Sequence, residues 1–511
     1  MKKTLFVAFV VSLGGFLFGF DAGIISGVMS YAGPEFNLND AQTGWAVSAP
    51  SFAAMLAMLI SGRLSDIIGR KKILMAVAFL YAVSALWSAL AGSYEALYLA
   101  RMIGGLAFGA ALILAPTYIA EISTAKTRGQ LVAIQQLNIV LGFFAAFLSN
   151  YYFNQAFTSG DSTFLMDGNV WRWMLGVELV PALLYFFFLF FVPRSPRWLF
   201  TKGFTDEAKK VLIHMHGAKQ ADEEITGIEA SLKAKTKEKV KLKDLFEPAL
   251  KFVIIVGLII GVLQQITGIN AIYFYATSIF KQTGIGTDAA FSSGVLLSFT
   301  TVIFTIVAML LIDKMGRRPL LLFGIGGIAI SLLICAYGFK NATYHIKSQD
   351  LTTLQFDSAS KLSTIADKTF DNDIDFKTAV KETIGNQVYA KNEGAILEIA
   401  TSMNATLVLI GILGFIACFA FSLGPVMWVM LSELYPNKVR GLAIGFIGFI
   451  NSFASWLVQQ VFPWELNNLG NAMSFFIFGA IALIGFFILL KILPETKGKS
   501  LEQIEHDLVK N

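Results

Sequence analysis

The sequence predicts an all-α polytopic membrane protein in which twelve transmembrane helices form two pseudo-symmetric bundles of six. Of its 511 residues 55% are hydrophobic and only 15% are charged, and the mean hydropathy is +0.64. A soluble core could not bury this much apolar surface. The second observation is a motif that occurs twice. Its copies are Gly62 to Lys72 and Asp313 to Arg318, and each joins two long apolar segments. The chain therefore consists of two related halves.

Apolar windows along the chain justify the individual helices. About 20 apolar residues cross ~30 Å of hydrocarbon as an α-helix. Windows of this kind lie near residues 5–31, 43–62, 73–93, 96–120, 130–153, 171–192, 252–280, 288–312, 319–339, 402–432, 441–463 and 470–493. The first window follows Lys2 and Lys3 as in a signal peptide, but it contains Asp21, lacks an Ala-x-Ala cleavage site and leads into eleven more windows. We therefore interpret it as the first span.

Polar segments between the windows define the domain organisation. We assign residues 1–192 to an N-terminal six-helix bundle and residues 252–493 to a C-terminal one. Residues 193–251, rich in Lys and Glu, are predicted to form a helical linker. The second bundle carries a polar insert, residues 341–400, which we expect to form a small solvated helical cap. Residues 494–511 form a short tail.

The distribution of lysine and arginine predicts the orientation in the membrane. These residues concentrate near the termini, in the linker and in the loops that carry the repeated motifs. Loops with such an excess face the cytoplasm. We therefore predict a multi-pass protein of the cell inner (cytoplasmic) membrane, with both termini and the linker inside and the insert outside. The formal charge of +5 reflects this asymmetry and gives no reason to propose a nucleic-acid partner. Twelve spans in one chain predict a monomer in the lipid bilayer.

Signatures of catalysis are not found in the sequence. It contains no Walker loop, no Gly-x-Ser-x-Gly and no His-Glu-x-x-His motif, so we expect neither an enzyme nor an ATP-driven pump. His214 and His216, two residues apart on a helix, do not share a face and predict no metal site. No cofactor is expected.

Three charged residues lie inside spans of the first half. Each of Asp21, Arg101 and Glu178 costs roughly 2.5–3.5 kcal/mol on insertion scales and therefore needs a reason. Their positions along spans 1, 4 and 6 place them at a similar depth. Two carboxylates that share one arginine can take up and release a proton, because burial raises a carboxyl pKa and a guanidinium lowers it. The alternative is a static buried ion pair that fixes helix packing.

Neutral polar residues take the place of charges in the second half. Gln264, Gln265 and Asn270 lie in span 7, so either the helix breaks at Thr267-Gly268 or the amides surround a cavity. Related residues are Trp428 in span 10, Asn451 in span 11 and Gln136 in span 5, with Phe143 on the same face as Gln136. Amides with an indole suit a neutral polyhydroxylated ligand. The alternative is hydrogen bonding between helices.

Together these motifs resemble those of sugar porters of the major facilitator superfamily, over nearly the whole chain. The matching segments are Gly62 to Lys72, Arg101 to Gly105, Glu121 with Arg128-Gly129, Pro193 to Leu199, Gln264 to Asn270, Asp313 to Arg318, Gly424 to Trp428 with Glu433, Arg440-Gly441, and Pro494 to Gly498. Three features depart from the family pattern: Arg194 replaces an acid, Phe274 replaces a tyrosine, and the insert 341–400 has no counterpart.

The resemblance implies alternating access between two six-helix bundles. It implies sugar contacts at Gln136, Gln264, Gln265, Asn270, Trp428 and Asn451, with Phe18 nearby. It also implies a cytoplasmic gating network of Asp66, Arg70, Glu121, Arg128, Arg197, Asp313, Arg317, Glu433, Arg440 and Glu495. Proton-coupled bacterial members have residues that match Asp21, Arg101 and Glu178, whereas facilitative uniporters usually have a neutral residue at the Asp21 position.

These observations predict a symporter that imports a neutral monosaccharide with a proton. The sugar is expected to be a hexose or a pentose, such as glucose or xylose. One alternative is a facilitative sugar uniporter in which Asp21 is only structural. A second is a sugar sensor with a transporter fold, although the tail after Pro494 is short for a signalling domain.

Overall fold

The computed structural model describes residues 2–124, 127–160, 169–233, 241–436, 438–497 and 501–508. Within these ranges twelve helices, some of them broken, are long and apolar enough to cross a membrane. This number agrees with the sequence prediction. Most helices extend beyond their apolar windows, because hydropathy marks only the lipid-facing length while capping decides where a helix ends. Four predicted windows are longer than the helices at one end: α3 ends at Ala89, α7 at Leu189 and α21 at Ile492, and α18 begins only at Ala405.

Seven helices build the first six spans. They are α1 (Lys2–Glu35), α2 (Asp40–Ile68), α3 (Arg70–Ala89), α4 (Tyr94–Ile122), α5 (Arg128–Ser159), α6 (Val170–Gly176) and α7 (Leu179–Leu189). The sequence predicted an unbroken span over 171–192, but the structure divides it at Val177 and Glu178. Pro181 explains the break, since it has no N–H to donate to the carbonyl of Val177.

The linker contains three short helices. They are α8 (Pro196–Thr201), α9 (Thr205–His216) and α10 (Ala218–Lys233), followed by 3₁₀ turns at Leu242–Phe246 and Pro248–Leu250. The Ser195 hydroxyl accepts a hydrogen bond from the N–H of Trp198 and caps α8. Gly217, with φ of 82°, ends α9. Leu199, Leu212 and Ala221 contribute to a small core of its own.

Span 7 is broken twice. It consists of α11 (Lys251–Ile266), α12 (Ile269–Phe274) and α13 (Ala276–Lys281). The first break lies at Thr267-Gly268, where Gly268 has a left-handed φ of 89°. Of the two arrangements expected for these amides, the structure therefore contains the broken helix. Spans 8 and 9 are α14 (Thr287–Met315) and α15 (Arg317–Lys340).

The insert between spans 9 and 10 is a folded unit. Its regular elements are β1 (Thr343–His345), β2 (Thr369–Phe370), α16 (Asp373–Ile384), α17 (Asn386–Ala400) and β3 (Thr401–Ser402). The strands form an antiparallel sheet in the order β2-β1-β3. Tyr344, Phe376 and Ile396 are buried in its own apolar core. The helical part was predicted, whereas the sheet was not, because its strands are only two or three residues long.

The last three spans follow the insert. Span 10 consists of α18 (Ala405–Phe421) and α19 (Leu423–Leu434), span 11 is α20 (Arg440–Asn468) and span 12 is α21 (Gly470–Ile492). A short helix, α22 (Leu501–Leu508), lies in the tail. Span 10 breaks at Ser422, whose backbone angles of −126° and −95° are not helical.

The structure groups into two compact units. The first comprises residues 1–22, 49–146 and 172–240, and the second comprises residues 23–48, 147–171 and 241–511. The C-terminal part of α1, the N-terminal part of α2 and the C-terminal part of α5 thus belong to the second unit. The predicted boundaries at 192 and 252 follow the order of spans along the chain, whereas this grouping follows spatial contact.

Glycines allow close helix packing in the first unit. An added Cβ at Gly19 on α1 would lie 2.0 Å from the carbonyl oxygen of Ile139, and one at Gly142 on α5 would lie 2.0 Å from that of Phe16. The two helices therefore meet backbone to backbone. Between membrane helices such approach requires small residues.

Gly142→Ala is expected to destabilise this helix pair. The added methyl group must push α5 away from α1, and overpacking of this kind costs about 1–3 kcal/mol. Thermal unfolding in detergent would show a lower midpoint for Gly142→Ala than for the wild type. Gly129→Ala is the matched control on the same helix, because an added Cβ there meets nothing within 4 Å. Equal midpoints for the two variants would contradict the packing argument.

Candidate functional site

The first unit contains a buried acid–arginine cluster. Nη1 of Arg101 on α4 donates to Oδ1 of Asp21 on α1 at 3.1 Å, and the two residues are 1% and 4% exposed. Glu178, at the break between α6 and α7, is 4% exposed and interacts electrostatically with both. The structure therefore brings together the three charges that the sequence singled out.

This cluster has the charge balance of a proton-binding site. One guanidinium can neutralise one of the two carboxylates, and a second negative charge in a buried site favours binding of a proton. Tyr81 on α3 also interacts electrostatically with Asp21 and Glu178, and its hydroxyl donates to the carbonyl of Gly14 at 3.1 Å. Sequence reasoning missed Tyr81, because a tyrosine on an apolar helix carries no signal of its own.

The second unit contains a cluster of amides around the break in span 7. Gln264 and Gln265 lie in the last turn of α11, and Asn270 lies in the first turn of α12. Nε2 of Gln265 donates to Oδ1 of Asn451 on α20 at 3.2 Å, while Nδ2 of Asn451 donates to Oε1 of Gln264 at 2.8 Å. Nδ2 of Asn270 donates to Oε1 of Gln265 at 2.8 Å. The break at Gly268 thus directs polar groups of two helices toward α20.

Two further side chains extend the amide cluster along α20. Nδ2 of Asn270 donates to Oγ of Ser455 at 2.6 Å, and Nε2 of Gln459 donates to the same oxygen at 2.8 Å. The Tyr275 hydroxyl donates to the carbonyl of Gln459 at 3.0 Å. The sequence analysis missed Ser455 and Gln459, although their spacings of four and eight residues from Asn451 place all three on one helix face.

Trp428 lies on α19, just after the break in span 10. It is 44% exposed, so its indole is accessible for contact. Nε2 of Gln264 donates to the carbonyl of Leu423 at 3.0 Å, which joins the amide cluster to the start of α19. The resulting group combines hydrogen-bond donors and acceptors with an aromatic face and contains no charged side chain. Such chemistry suits a neutral ligand with several hydroxyl groups.

The other two expected sugar contacts belong to the first unit. The Phe18 ring packs against Phe108 and Phe143, with centroids 4.8 and 6.3 Å apart. Gln136 on α5 is half-buried. Their roles stay predictions. No group of three His, Cys, Asp or Glu side chains suitable for a metal ion occurs among the described residues.

The repeated motifs form matching charge clusters, one in each unit. In the first, Arg70 contacts Asp66 at 2.6 Å and Glu121 at 3.1 Å, and the Ser195 hydroxyl donates to Glu121 at 2.5 Å. In the second, Arg317 contacts Glu433 at 2.8 Å, and the Thr496 hydroxyl donates to Glu433 at 2.6 Å. The sequence repeat is therefore also a repeat of contacts.

The remaining residues of the expected gating network are placed differently. Arg128 and Arg197 are exposed, and no ion pair of either is found among the described side chains. Nε of Arg440 donates to the carbonyl of Tyr435 at 3.1 Å. The side chain of Asp313 lies outside the described part of the structure. The sequence grouped Glu121 with Arg128, whereas the structure pairs it with Arg70. The reason is that α3, which begins at Arg70, packs along α4, which carries Glu121 near its C-terminal end.

Arg194 breaks the symmetry between the two clusters. At the equivalent position Glu495 accepts the N–H groups of Arg317 and Arg318, each at 3.1 Å, and so caps α15. Arg194 instead forms an exposed contact with Glu207 at 3.4 Å. The departure seen in the sequence therefore removes a helix cap from the first half.

Arg194→Glu is expected to raise thermal stability. A carboxylate at this position would accept the N–H groups at the start of α3, as Glu495 does at the start of α15, which contributes about 0.5–2 kcal/mol. The lost Arg194–Glu207 contact is exposed and worth about 0–1 kcal/mol. The measurement is the unfolding midpoint in detergent, compared with Arg194→Ala. A midpoint for Arg194→Glu no higher than that of Arg194→Ala would rule out the cap.

Within the second unit, hydrogen bonds connect the C-terminal part of α1 to α13 and α5. Ser26 Oγ lies 3.0 Å from Thr277 Oγ1 and accepts from the N–H of Thr277 at 2.9 Å. The Tyr31 hydroxyl donates to Asn154 on α5, which donates to Asp288 on α14 at 2.6 Å. The sequence analysis missed these residues, since small polar residues near helix ends are common.

Phe274, which replaces the tyrosine expected from the family pattern, is buried.

Comparison with known proteins gives concordant results. A family model described as sugar (and other) transporter matches residues 7–364 and 383–508. The chain is 33% identical to the arabinose-proton symporter of Bacillus subtilis, over 99% of this chain and 95% of that protein. It is 32% identical to the D-xylose transporter of Levilactobacillus brevis, over 99% and 97%. A solved structure of the xylose transporter XylE from E. coli, in an inward open conformation, matches with a TM-score of 0.75 and 26% identity, over 98% of this chain and 99% of that one.

Proposed function

Because this chain belongs to the sugar (and other) transporter family, we propose that it is a proton-coupled symporter that imports a neutral monosaccharide by alternating access. The family match and the similarity to the solved transporter confirm the predicted twelve-helix major facilitator fold. The sugar is a hexose or a pentose, since relatives of similar identity are named as transporters of arabinose, xylose, glucose and galactose.

The buried cluster of Asp21, Arg101 and Glu178 is the observation that carries proton coupling. Each charge inside the membrane is costly, and a proton that binds and leaves during transport gives two carboxylates beside one arginine a function. The amide cluster of the second unit supports a sugar as the cargo, because Gln264, Gln265, Asn270 and Asn451 offer donors and acceptors without charge.

The proposed cycle links the two clusters through the orientation of the carrier. A proton from outside neutralises Asp21 and releases Arg101 from its ion pair. Sugar hydroxyls replace hydrogen bonds within the amide cluster, and the Trp428 indole covers the apolar face of the ring. The carrier then turns inward, the sugar leaves, and loss of the proton restores the Asp21–Arg101 contact.

Orientation and location follow from charge. The lysine- and arginine-rich loops and the linker face the cytoplasm, so the insert lies outside. The protein is a multi-pass membrane protein, which we place in the cell inner membrane as a monomer with both termini inside. The gating roles of Asp66, Arg70, Glu121, Arg128, Arg197, Asp313, Arg317, Glu433, Arg440 and Glu495 belong to the same proposal, supported by the matching Arg70–Glu121 and Arg317–Glu433 contacts.

A uniporter is the second candidate, because a fully buried Asp21–Arg101 pair could also serve helix packing alone. Uptake by the wild-type protein in liposomes separates the two. Labelled arabinose, xylose and glucose would be supplied with and without an inward proton gradient. Symport predicts accumulation above the outside concentration only with the gradient. Uptake that stops at equilibrium under both conditions would leave the uniporter, and no uptake of any of the three sugars would overturn the substrate class.

A further inference from the structure

The insert is attached to the spans by buried polar contacts rather than by its two chain connections alone. Asp373, in the first turn of α16, is 7% exposed and accepts from Lys377 at 3.1 Å. The same carboxylate oxygen accepts from Nδ2 of Asn471 at 2.8 Å, at the start of α21. The sequence analysis expected no counterpart for the whole insert, but the family model matches its residues 341–364 and 383–400. Only residues 365–382 are unmatched, and Asp373 lies within this range. The contact with span 12 is thus made by a part of the chain outside the family pattern.

Hydrogen bonds continue from Asn471 to the end of span 7. Nδ2 of Asn471 also donates to Oε1 of Gln282 at 3.5 Å, directly after α13. Nε2 of Gln282 donates to Oε1 of Glu393 on α17 at 2.9 Å. We call the connected set Asp373, Asn471, Gln282 and Glu393 the insert latch. It joins α16 to span 12 through Asp373 and Asn471, and α17 to the end of span 7 through Glu393 and Gln282. Gln282 is 4% exposed and connects the two pairs.

Tyr389 supports the Glu393 end of the insert latch. Its hydroxyl donates to the same Oε1 of Glu393 at 3.1 Å. Burial and the nearby Glu393 carboxylate raise the pKa of Tyr389 well above its ordinary value, so the hydroxyl remains a donor. Lys381 lies 5.3 Å from the centre of the Tyr389 ring. The acceptor that holds Gln282 is therefore itself fixed within the insert.

The turn after α13 packs closely against the insert. Gly284 and Gly286 have φ of 76° and 81°, and an added Cβ would lie 2.7 Å from Thr401 and 2.8 Å from Glu398, respectively. Only glycine fits both the backbone angles and the space. This close approach is a second contact, independent of the insert latch, between the insert and the end of span 7.

These contacts hold the C-terminal end of α13, and α13 is the helix that is hydrogen-bonded to the outer part of α1. Thr277, five residues before Gln282, makes two hydrogen bonds with Ser26. The α13 helix is separated from the rest of span 7 by breaks at Gly268 and Tyr275. Because α13 is only six residues long and the break at Tyr275 separates it from the preceding helix, its position depends on what holds its C-terminal end.

We propose that the insert is a clamp for the outer half of span 7, in which Gln282, Glu393 and Asn471 act as positioning residues that hold α13 where Thr277 meets Ser26. The clamp favours the state that is closed toward the outside. It contacts neither sugar nor proton. This inference rests on the proposed carrier function for its consequence in transport, but the position of α13 can be tested without transport.

Hydrogen–deuterium exchange in lipid nanodiscs tests the clamp directly. The readout is the exchange rate of the peptide that covers residues 276–282, which includes the Thr277 N–H. Glu393→Ala and Asn471→Leu are each expected to accelerate this exchange about tenfold or more, the factor that corresponds to loss of a hydrogen bond to a charged or buried group. Glu393→Gln keeps an oxygen acceptor for Gln282 and should exchange like the wild type.

Two controls make the result specific. Glu382→Ala removes an exposed carboxylate from the insert and should leave the peptide unchanged. If Glu393→Ala accelerates exchange throughout 341–400, the insert has unfolded and this variant no longer tests the clamp. The test then rests on Asn471→Leu, which changes a residue outside the insert. Exchange of 276–282 in Asn471→Leu equal to that of the wild type would overturn the clamp.

Sugar uptake in liposomes then measures the effect of the clamp on transport. The clamp predicts a lower kcat for uptake in Glu393→Ala and Asn471→Leu, with sugar affinity in detergent unchanged. Absence of uptake in the wild type would contradict the proposed function but leave the exchange result valid. Normal uptake with accelerated exchange would show that α13 is clamped but that its position does not limit transport, which would overturn the gating part of the inference.

Discussion

Asp21→Asn abolishes sugar accumulation driven by a proton gradient, while exchange of labelled for unlabelled sugar across the membrane continues. This is the largest effect that we expect. The amide cannot be ionised, so the variant resembles the protonated carrier at every pH, and Arg101 has lost the carboxylate to which it donates. Counterflow needs no net proton movement, because the loaded carrier turns in both directions. The measurement is uptake of labelled sugar in liposomes with and without an inward proton gradient.

The control for this variant is Glu95→Gln, which removes an exposed carboxylate from α4, the helix that carries Arg101. It should accumulate sugar as the wild type does. Gradient-driven accumulation by Asp21→Asn would show that Asp21 is not the coupling residue. Loss of both accumulation and counterflow would instead show that the Asp21–Arg101 contact mainly holds helices together, as in the static alternative.

Gln265→Leu is expected to weaken sugar binding about a hundredfold. The side chain lies at the centre of the amide cluster, where it donates to Asn451 and accepts from Asn270. Leucine removes one proposed sugar contact and leaves Oδ1 of the buried Asn451 without its donor, whereas Asn270 keeps its hydrogen bond to Ser455. The two losses together cost about 2–3 kcal/mol. Isothermal titration of the purified protein with the transported sugar gives the dissociation constant directly.

Ser474→Ala is the matched control for Gln265→Leu. Ser474 is fully buried in α21 of the same unit, but its hydroxyl donates only to the carbonyl of Gly470 on its own helix. Its removal should leave sugar affinity unchanged. If Gln265→Leu binds sugar with wild-type affinity, the amides serve as hydrogen bonds between helices, and the sugar site lies elsewhere.

Much of the fold could be predicted because a membrane imposes its requirements locally. Each span must be apolar over about 20 residues, so the twelve windows were visible without any knowledge of packing. A charge inside a span is costly wherever it lies, which is why Asp21, Arg101 and Glu178 stood out one at a time. The break at Gly268 was one of two expected arrangements, since three amides so close in sequence require partners.

The remaining features depend on which segments, far apart in the sequence, come close together in space. The partner of Glu121 is Arg70 and not the nearby Arg128, and the amide cluster includes Ser455 and Gln459. The break at Glu178 depends on one proline. The sheet of the insert consists of strands that are too short to give a periodic pattern in the sequence. Hydropathy and charge are properties of single residues and short windows, so the number of spans, the two related halves and the intramembrane charges could be predicted without a structure. Hydrogen bonds and ion pairs have a reach of about 3–4 Å, and only the packed helices determine which groups come that close.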